Sequence, residues 1–330
     1  MGAALNEAMI EEMTRDPNLL AIGEDITPNG GLFGATNGLL DQFGSARVMD
    51  MPISEAGFVG FAIGCALAGH PTVVEMMNFD FVSLAIDQLC NRANKLRYMT
   101  AGQASVPIVV RGPTTTRIGL AGQHSNSMEA AFLAAPGLRV VNPATPADAK
   151  GLLKSAIRDP DPTIFIEHRL LYASVGDVPE GGDVLVPIGK ARIAREGSDV
   201  TIIAHSYCVT VATAAARRLD REFGISAEIV DLRTVKPLDE IAICESVAKT
   251  RRVVLVTEGN VVGGVASEVA ALIASRAVVH DLLAPLAFVG VQDVPIPYSE
   301  ALEKEIFANP ERVVRAAQTV MERASASAAT

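Results

Sequence analysis

The sequence predicts an α/β fold in which a parallel sheet is covered by helices on both faces. Short apolar runs recur at 19–22, 72–76, 107–111 and 163–167, with helix-like stretches between them at 81–98 and 147–158. Strands buried on both faces read as continuous apolar runs, and intervening helices supply the crossovers that parallel neighbours need. The helix at 147–158 opens on Thr145-Pro146-Ala147-Asp148, a start signal that places proline in the first turn. Residues 177–183 are rich in Gly, Pro and Asp, which marks a boundary between two units, 1–178 and 186–320. The second unit repeats the alternation, with strands at 199–204, 226–231 and 252–258 and helices at 209–223 and 238–249. The small-residue tail 321–330 is expected to fray.

Bulk composition narrows the partners. The chain has 330 residues, 49% of them hydrophobic and 20% charged, enough to build a sizeable core. A net charge of −10 argues against nucleic acid or an anionic membrane as a partner. The longest uncharged apolar run, 56–69, has 14 residues, too few to span a bilayer. The sequence shows no basic segment leading into an apolar one near its start. Cys65, Cys90, Cys208 and Cys244 form no CxxC pair and read as reduced core thiols, so a cytoplasmic protein is expected.

Several common chemistries lack their residues. No two glycines are separated by a single residue, which removes the GxGxxG of dinucleotide sites. The phosphate loop GxxxxGK[ST], the GxSxG elbow and HExxH are also missing, and the five histidines have no zinc-ligand spacing. The candidates that remain lie where open parallel sheets bind ligands, outside the carboxyl ends of the strands. Those loops include 23–25, 77–81, 111–113 and 258–260.

Glu55 is the only charge in the stretch 52–69, otherwise built of apolar and small residues. A carboxyl pressed against apolar packing has a raised pKa and suits acid–base work; equally, a glutamate at a helix N-terminus complements the dipole. His124 lies in the polar loop 119–127, which leads to a helix start expected at Ser127 or Met128. There an imidazole and free backbone N–H groups could serve proton transfer or an oxyanion, or the histidine could simply bond its neighbours. Arg111 and Arg117 flank this loop, either to hold an anionic substrate or to make surface salt bridges.

Gly23-Glu24-Asp25 followed by 47–55, then Glu75, Phe79-Asp80-Phe81, 85–88 and Gln123-His124-Ser125, resemble a known family in order and spacing. The likeness continues through 136–141, 148–153, 156–159, 231–235, Pro237-Leu238-Asp239 and 295–298, and so covers 4–320. The family is that of the β subunits of thiamine-diphosphate-dependent 2-oxo acid dehydrogenases, the E1 components of pyruvate dehydrogenase-type complexes. The resemblance implies a transketolase-like fold, with an N-terminal pyrimidine-binding domain and a C-terminal transketolase-type domain.

It also implies roles. Glu55 would hydrogen-bond N1′ of the cofactor's aminopyrimidine, Phe81 would pack against that ring, and Met77 would lie nearby. His124 would stand near the reacting centre and position the lipoyl group or the intermediate. Main-chain carbonyls of Ile108, Ala156, Ile157, Asp159 and Asp161 correspond to a structural potassium site in some relatives. The family's GDG…N motif for the magnesium-bound diphosphate is missing, so an α subunit would supply that half of the site in an α2β2 heterotetramer, and E2, a lipoyl acyltransferase, would accept the acyl group. Pyruvate is the expected substrate, with acetoin and branched-chain 2-oxo acids as alternatives and a non-catalytic structural subunit as the reading from another class. Thr114-Thr115-Thr116-Arg117 departs from the small, glycine-rich segment of many relatives, which leaves Arg117 as a candidate selectivity residue.

Overall fold

The computed structural model describes residues 1–27, 30–31, 33–179 and 183–328. It contains two compact units, one formed by Met1–Thr115 with Ala131–Ile188, the other by Thr116–Ala130 with Gly189–Thr330. Within the boundary segment 177–183, residues 180–182 lie outside the described residues.

The first unit and the segment leading back into it contain, in chain order, α1 (Gly2–Arg15), β1 (Leu20–Gly23), α2 (Leu39–Phe43), β2 (Val48–Asp50), α3 (Glu55–Leu67), β3 (Thr72–Glu75), α4 (Asn94–Met99), β4 (Ile108–Thr114), α5 (Ala130–Leu133), β5 (Arg139–Val141), α6 (Pro146–Arg158) and β6 (Thr163–His168). Its strands lie in the order β2-β1-β3-β4-β6-β5, all parallel. Every residue of β1, β3, β4 and β6 is buried, which is why these runs lack the alternation of a half-exposed strand. Helix α6 begins as its sequence dictates. The Thr145 hydroxyl accepts from the Asp148 N–H at 3.2 Å and donates to the Asp148 carboxylate at 2.7 Å, with Pro146 in the first turn. Lys150, Lys154 and Arg158 then tie α6 to Glu11 and Glu12 of α1.

Residues 81–98 do not form the single helix expected from their sequence. They divide among a 3-10 helix at Phe79–Ala85, a π-helical turn at Gln88–Ala93 and α4. The burial pattern explains the change of winding. Phe79, Val82 and Ala85 are buried at a spacing of three, the period of a 3-10 helix, whereas Ala85, Leu89 and Ala93 follow at four. Asn78 starts the tight segment by accepting the Asp80 N–H on its side chain.

A buried ion network crosses three strands. Parallel register sets Glu75 of β3 beside Arg111 of β4, and Glu167 of β6 two positions beyond Arg111's own partner. Arg111 is fully buried and donates to both oxygens of Glu167 at 2.6 Å and to Glu75, while the Tyr172 hydroxyl donates to Glu167. Burial opposes the Arg111 charge, but Glu167 and Glu75 outweigh it and hold its pKa above that of a free arginine.

The second unit comprises β7 (Arg192–Arg195), β8 (Val200–Ala204), α7 (Tyr207–Phe223), β9 (Ala227–Asp231), β10 (Thr234–Lys236), α8 (Glu240–Thr250), β11 (Val253–Asn260), α9 (Val265–Ala274), β12 (Ala287–Val291), α10 (Glu300–Ile306) and α11 (Pro310–Ala328). Its sheet runs β12-β11-β8-β9-β7, parallel except for the β7–β9 pair. Within the tail 321–330, α11 continues through Ala328, and residues 329 and 330 lie outside the described residues.

Arg111→Met is expected to destabilise the fold by about 3–5 kcal/mol, because it strands two buried carboxylates without their counter-charge. Urea unfolding at neutral pH checks this. A triple change that also replaces Glu75 and Glu167 by Gln should recover part of the loss.

Candidate active site at the strand ends of the first sheet

The strand order creates a crevice. From β1 the chain passes to β2 on one side and returns to β3 on the other, so β1 and β3 form a topological switch point, where ligands bind beyond the carboxyl ends. The residues that follow these strands are Glu24 after β1 and Met76 then Met77 after β3, and the segment after β2 leads into α3.

Glycine makes the strand ends meet closely. A Cβ at Gly23 would lie 2.4 Å from the Glu75 carbonyl oxygen, and one at Gly112 would lie 2.4 Å from that of Met76. Only a residue without a side chain lets β1 and β4 flank β3 at these points. The next residue after Gly23 is the site's first carboxylate.

Glu55 is the first residue of α3 and is 4% exposed, so both sequence readings of it meet: it stands at a helix N-terminus, and it is buried. Its side chain makes no hydrogen bond among the described residues. Glu24 is 6% exposed, and its Oε1 is buried without a hydrogen-bond partner. Burial pushes the Glu24 carboxyl up to about 7, Glu55 and then Asp25 add to the rise, and the Met77 N–H pulls against it. Neighbouring carboxylates disfavour a double negative charge, which adds to the effect of burial on Glu24. Sequence reading noted the loop 23–25 but left Glu24 out of the site. The available signal was a carboxylate directly after a strand that ends in glycine.

The structure thus brings Glu55 and Met77 together through Glu24. Phe81 is half-buried in the 3-10 helix that packs on α3, and its N–H donates to the Asn78 carbonyl. His124 belongs to the second unit and lies on a loop, as expected; the helix expected from Ser127 or Met128 is the single turn α5, beginning at Ala130. Both arginines pair with buried carboxylates rather than in surface salt bridges. Arg111 is spent in the core network, and Arg117 pairs with buried Glu258 through Nε at 2.6 Å and Nη2 at 2.8 Å. Arg117 also lies over the rings of Tyr207 and Phe307.

The expected potassium ligands lie around the end of α6. Ala156 and Ile157 are in its last turn, Asp159 caps it, and Ile108 opens β4. The Asp159 carboxylate takes Arg139 at 2.7 Å, and Asp161 takes Arg97 at 2.9 Å, so only main-chain carbonyls remain for a cation there.

A model of the transketolase pyrimidine-binding domain matches residues 1–174, and one of the transketolase C-terminal domain matches 189–313. The 2-oxoisovalerate dehydrogenase β subunit of Bacillus subtilis is 46% identical over 97% of both chains. The chain belongs to the transketolase-like β subunits of 2-oxo acid dehydrogenases. Other members of this E1 β family are close as well. The pyruvate dehydrogenase E1 β subunit of Rhizobium meliloti is 44% identical over 96% of this chain and 68% of its own, and that of Rickettsia felis is 44% identical over 96% of both. Among solved structures, a split-gene transketolase described as an inactive β4 tetramer shares the fold, with a TM-score of 0.79, 24% identity and 97% of each chain covered.

The Glu24 carboxyl moves from an ordinary 4.5 up to about 7 on folding, so the folded state binds the extra proton in that window and loses stability as pH rises through it. Glu24→Gln removes this dependence. Its urea midpoint should match that of the parent chain near about pH 5 and exceed it at about pH 8.

Proposed function

We propose that the chain is the β subunit of a thiamine-diphosphate-dependent E1 enzyme that decarboxylates pyruvate and transfers the acyl group to the lipoyl group of E2. The observation that carries this reading is the gathering of Glu55, Glu24 and Met77 at the switch point of the first sheet, in a member of the E1 β family. When bound, thiamine diphosphate supplies the electron sink that loss of CO2 from a 2-oxo acid requires.

This chain's own residues supply placement and protons. Glu55 keeps its buried carboxyl free of other side-chain hydrogen bonds among the described residues, which leaves it for a ring nitrogen of the cofactor's pyrimidine. Glu24, raised to about 7 by burial and then by Glu55, exchanges a proton near neutral pH beside Glu55. Phe81 and Met77 offer apolar surface to the pyrimidine ring, and the same crevice keeps water away from it. His124 positions the lipoyl group or the reacting substrate.

The magnesium-bound diphosphate falls to an α subunit in an α2β2 assembly. Large apolar residues left exposed around α3 support such a partner: Ile53 is 80% exposed, Leu84 61% and Phe61 48%. The carbonyls at the end of α6 are the proposed potassium ligands. A cytoplasmic location is proposed with it, on the four free cysteines; no helix of the described residues is long and apolar enough to cross a membrane.

Isothermal titration of thiamine diphosphate with Mg2+ should show tight binding to the chain co-purified with an α subunit and none to the chain alone. Glu55→Gln in the mixture should lower decarboxylation by about 100-fold or more while the subunits still associate. Tight binding by the isolated chain would contradict the split site. Relatives named for pyruvate and for 2-oxoisovalerate are nearly equal in identity, so kcat/KM on both acids decides the substrate.

A further inference from the structure

In a chain of net charge −10, one cleft of the second unit runs against the overall sign. It has a volume of about 800 Å3, within the range of small-molecule sites, and lies among α7, α10 and α11. Six cations line it: Arg117, Arg217, Arg218, Arg221, Lys304 and Arg315. Glu305 and Glu311 are the acidic residues of the lining.

The fold concentrates these charges by ordinary helical spacing. Arg217, Arg218 and Arg221 fall within one turn of α7, and α7 packs against α11, which brings Arg315. Their internal pairing is incomplete. Arg218 is shared between Glu222 at 3.3 Å and Glu311 at 2.8 Å, and Arg221 leans on the same Glu222 at 2.9 Å. Arg315 is 3.8 Å from Glu311. Arg217 pairs with no acidic side chain among the described residues. Arg117 uses Nε and Nη2 on Glu258, which leaves Nη1 outside that pair. The excess charge is felt nearby: burial and then Arg315 and Arg117 depress the pKa of Arg312, which donates to the carbonyls of Phe307 and Gly290.

We propose that this cleft binds a small anion bearing two or more phosphates. Several guanidinium forks around a nucleotide-sized space match phosphate oxygens in geometry and charge, and arginine serves such recognition better than lysine. The lining belongs wholly to the second unit and the proposal does not depend on the reaction proposed for the first. Bound phosphate would compete with Glu258 for Arg117. Through Arg117 it would act on the segment 116–130, which carries His124.

The test is calorimetric titration of inorganic tripolyphosphate into the full chain. One-to-one saturable binding is expected. It should be weakened at least about tenfold in Arg217→Ala/Arg221→Ala, the loss of two charged hydrogen-bond donors, and unchanged in Lys190→Ala, where a cation outside the cleft is removed. Arg217→Glu, at an exposed position without an ion pair, gives the same readout should the double variant fold poorly. Non-saturable binding, or equal affinity in the cleft variants, would overturn the proposal. Binding of a polyglutamate peptide but not of tripolyphosphate would also overturn it and assign the cleft to an acidic protein partner.

Discussion

The first unit is organised around one buried guanidinium. Arg111 has no access to water and satisfies three of its N–H groups on Glu75 and Glu167, so β3, β4 and β6 are joined by charge as well as by their ladders. Apolar packing tolerates small shifts in register; a desolvated ion network does not, because each displaced partner would leave a buried charge. Glu75 ends β3 opposite Gly23, and the next residue after Gly23 is Glu24. The constraint that fixes the strands therefore ends one residue from the carboxyl pair at the crevice.

Much of this was legible in the sequence. Strands buried on both faces write themselves as apolar runs, and α6 carries its own start signal in Thr145, Pro146 and Asp148. The stretch 79–99 was not legible as three kinds of winding, because a burial spacing of three passes for noise within a helical pattern. Glu55 could be singled out because its neighbours in sequence are uncharged. Glu24 could not, because what raises its pKa, burial beside Glu55, comes from a residue 31 positions away and from the sheet's order. Arg111 misled for the same reason: its two carboxylate partners lie on other strands.

The segment 116–130 shows how a loop is held by buried carboxylates. Arg117 takes a left-handed backbone conformation, φ 69°, uncommon for a residue with a long side chain. The bidentate pair with Glu258, the Thr116 hydroxyl on the same carboxylate and the Gly119 N–H on Glu303 offset that strain. Buried carboxylates thus hold in place a backbone conformation that otherwise favours glycine.

The central claim is that Glu24 and Glu55 act on each other as one acidic pair. Carbon-13 NMR titration of glutamate carboxyls, with Glu24 assigned by mutation, tests it most directly. Glu24 should titrate near about 7 in the parent chain and move clearly lower in Glu55→Gln. A Glu24 carboxyl that titrates in the ordinary range in both chains would contradict the pairing.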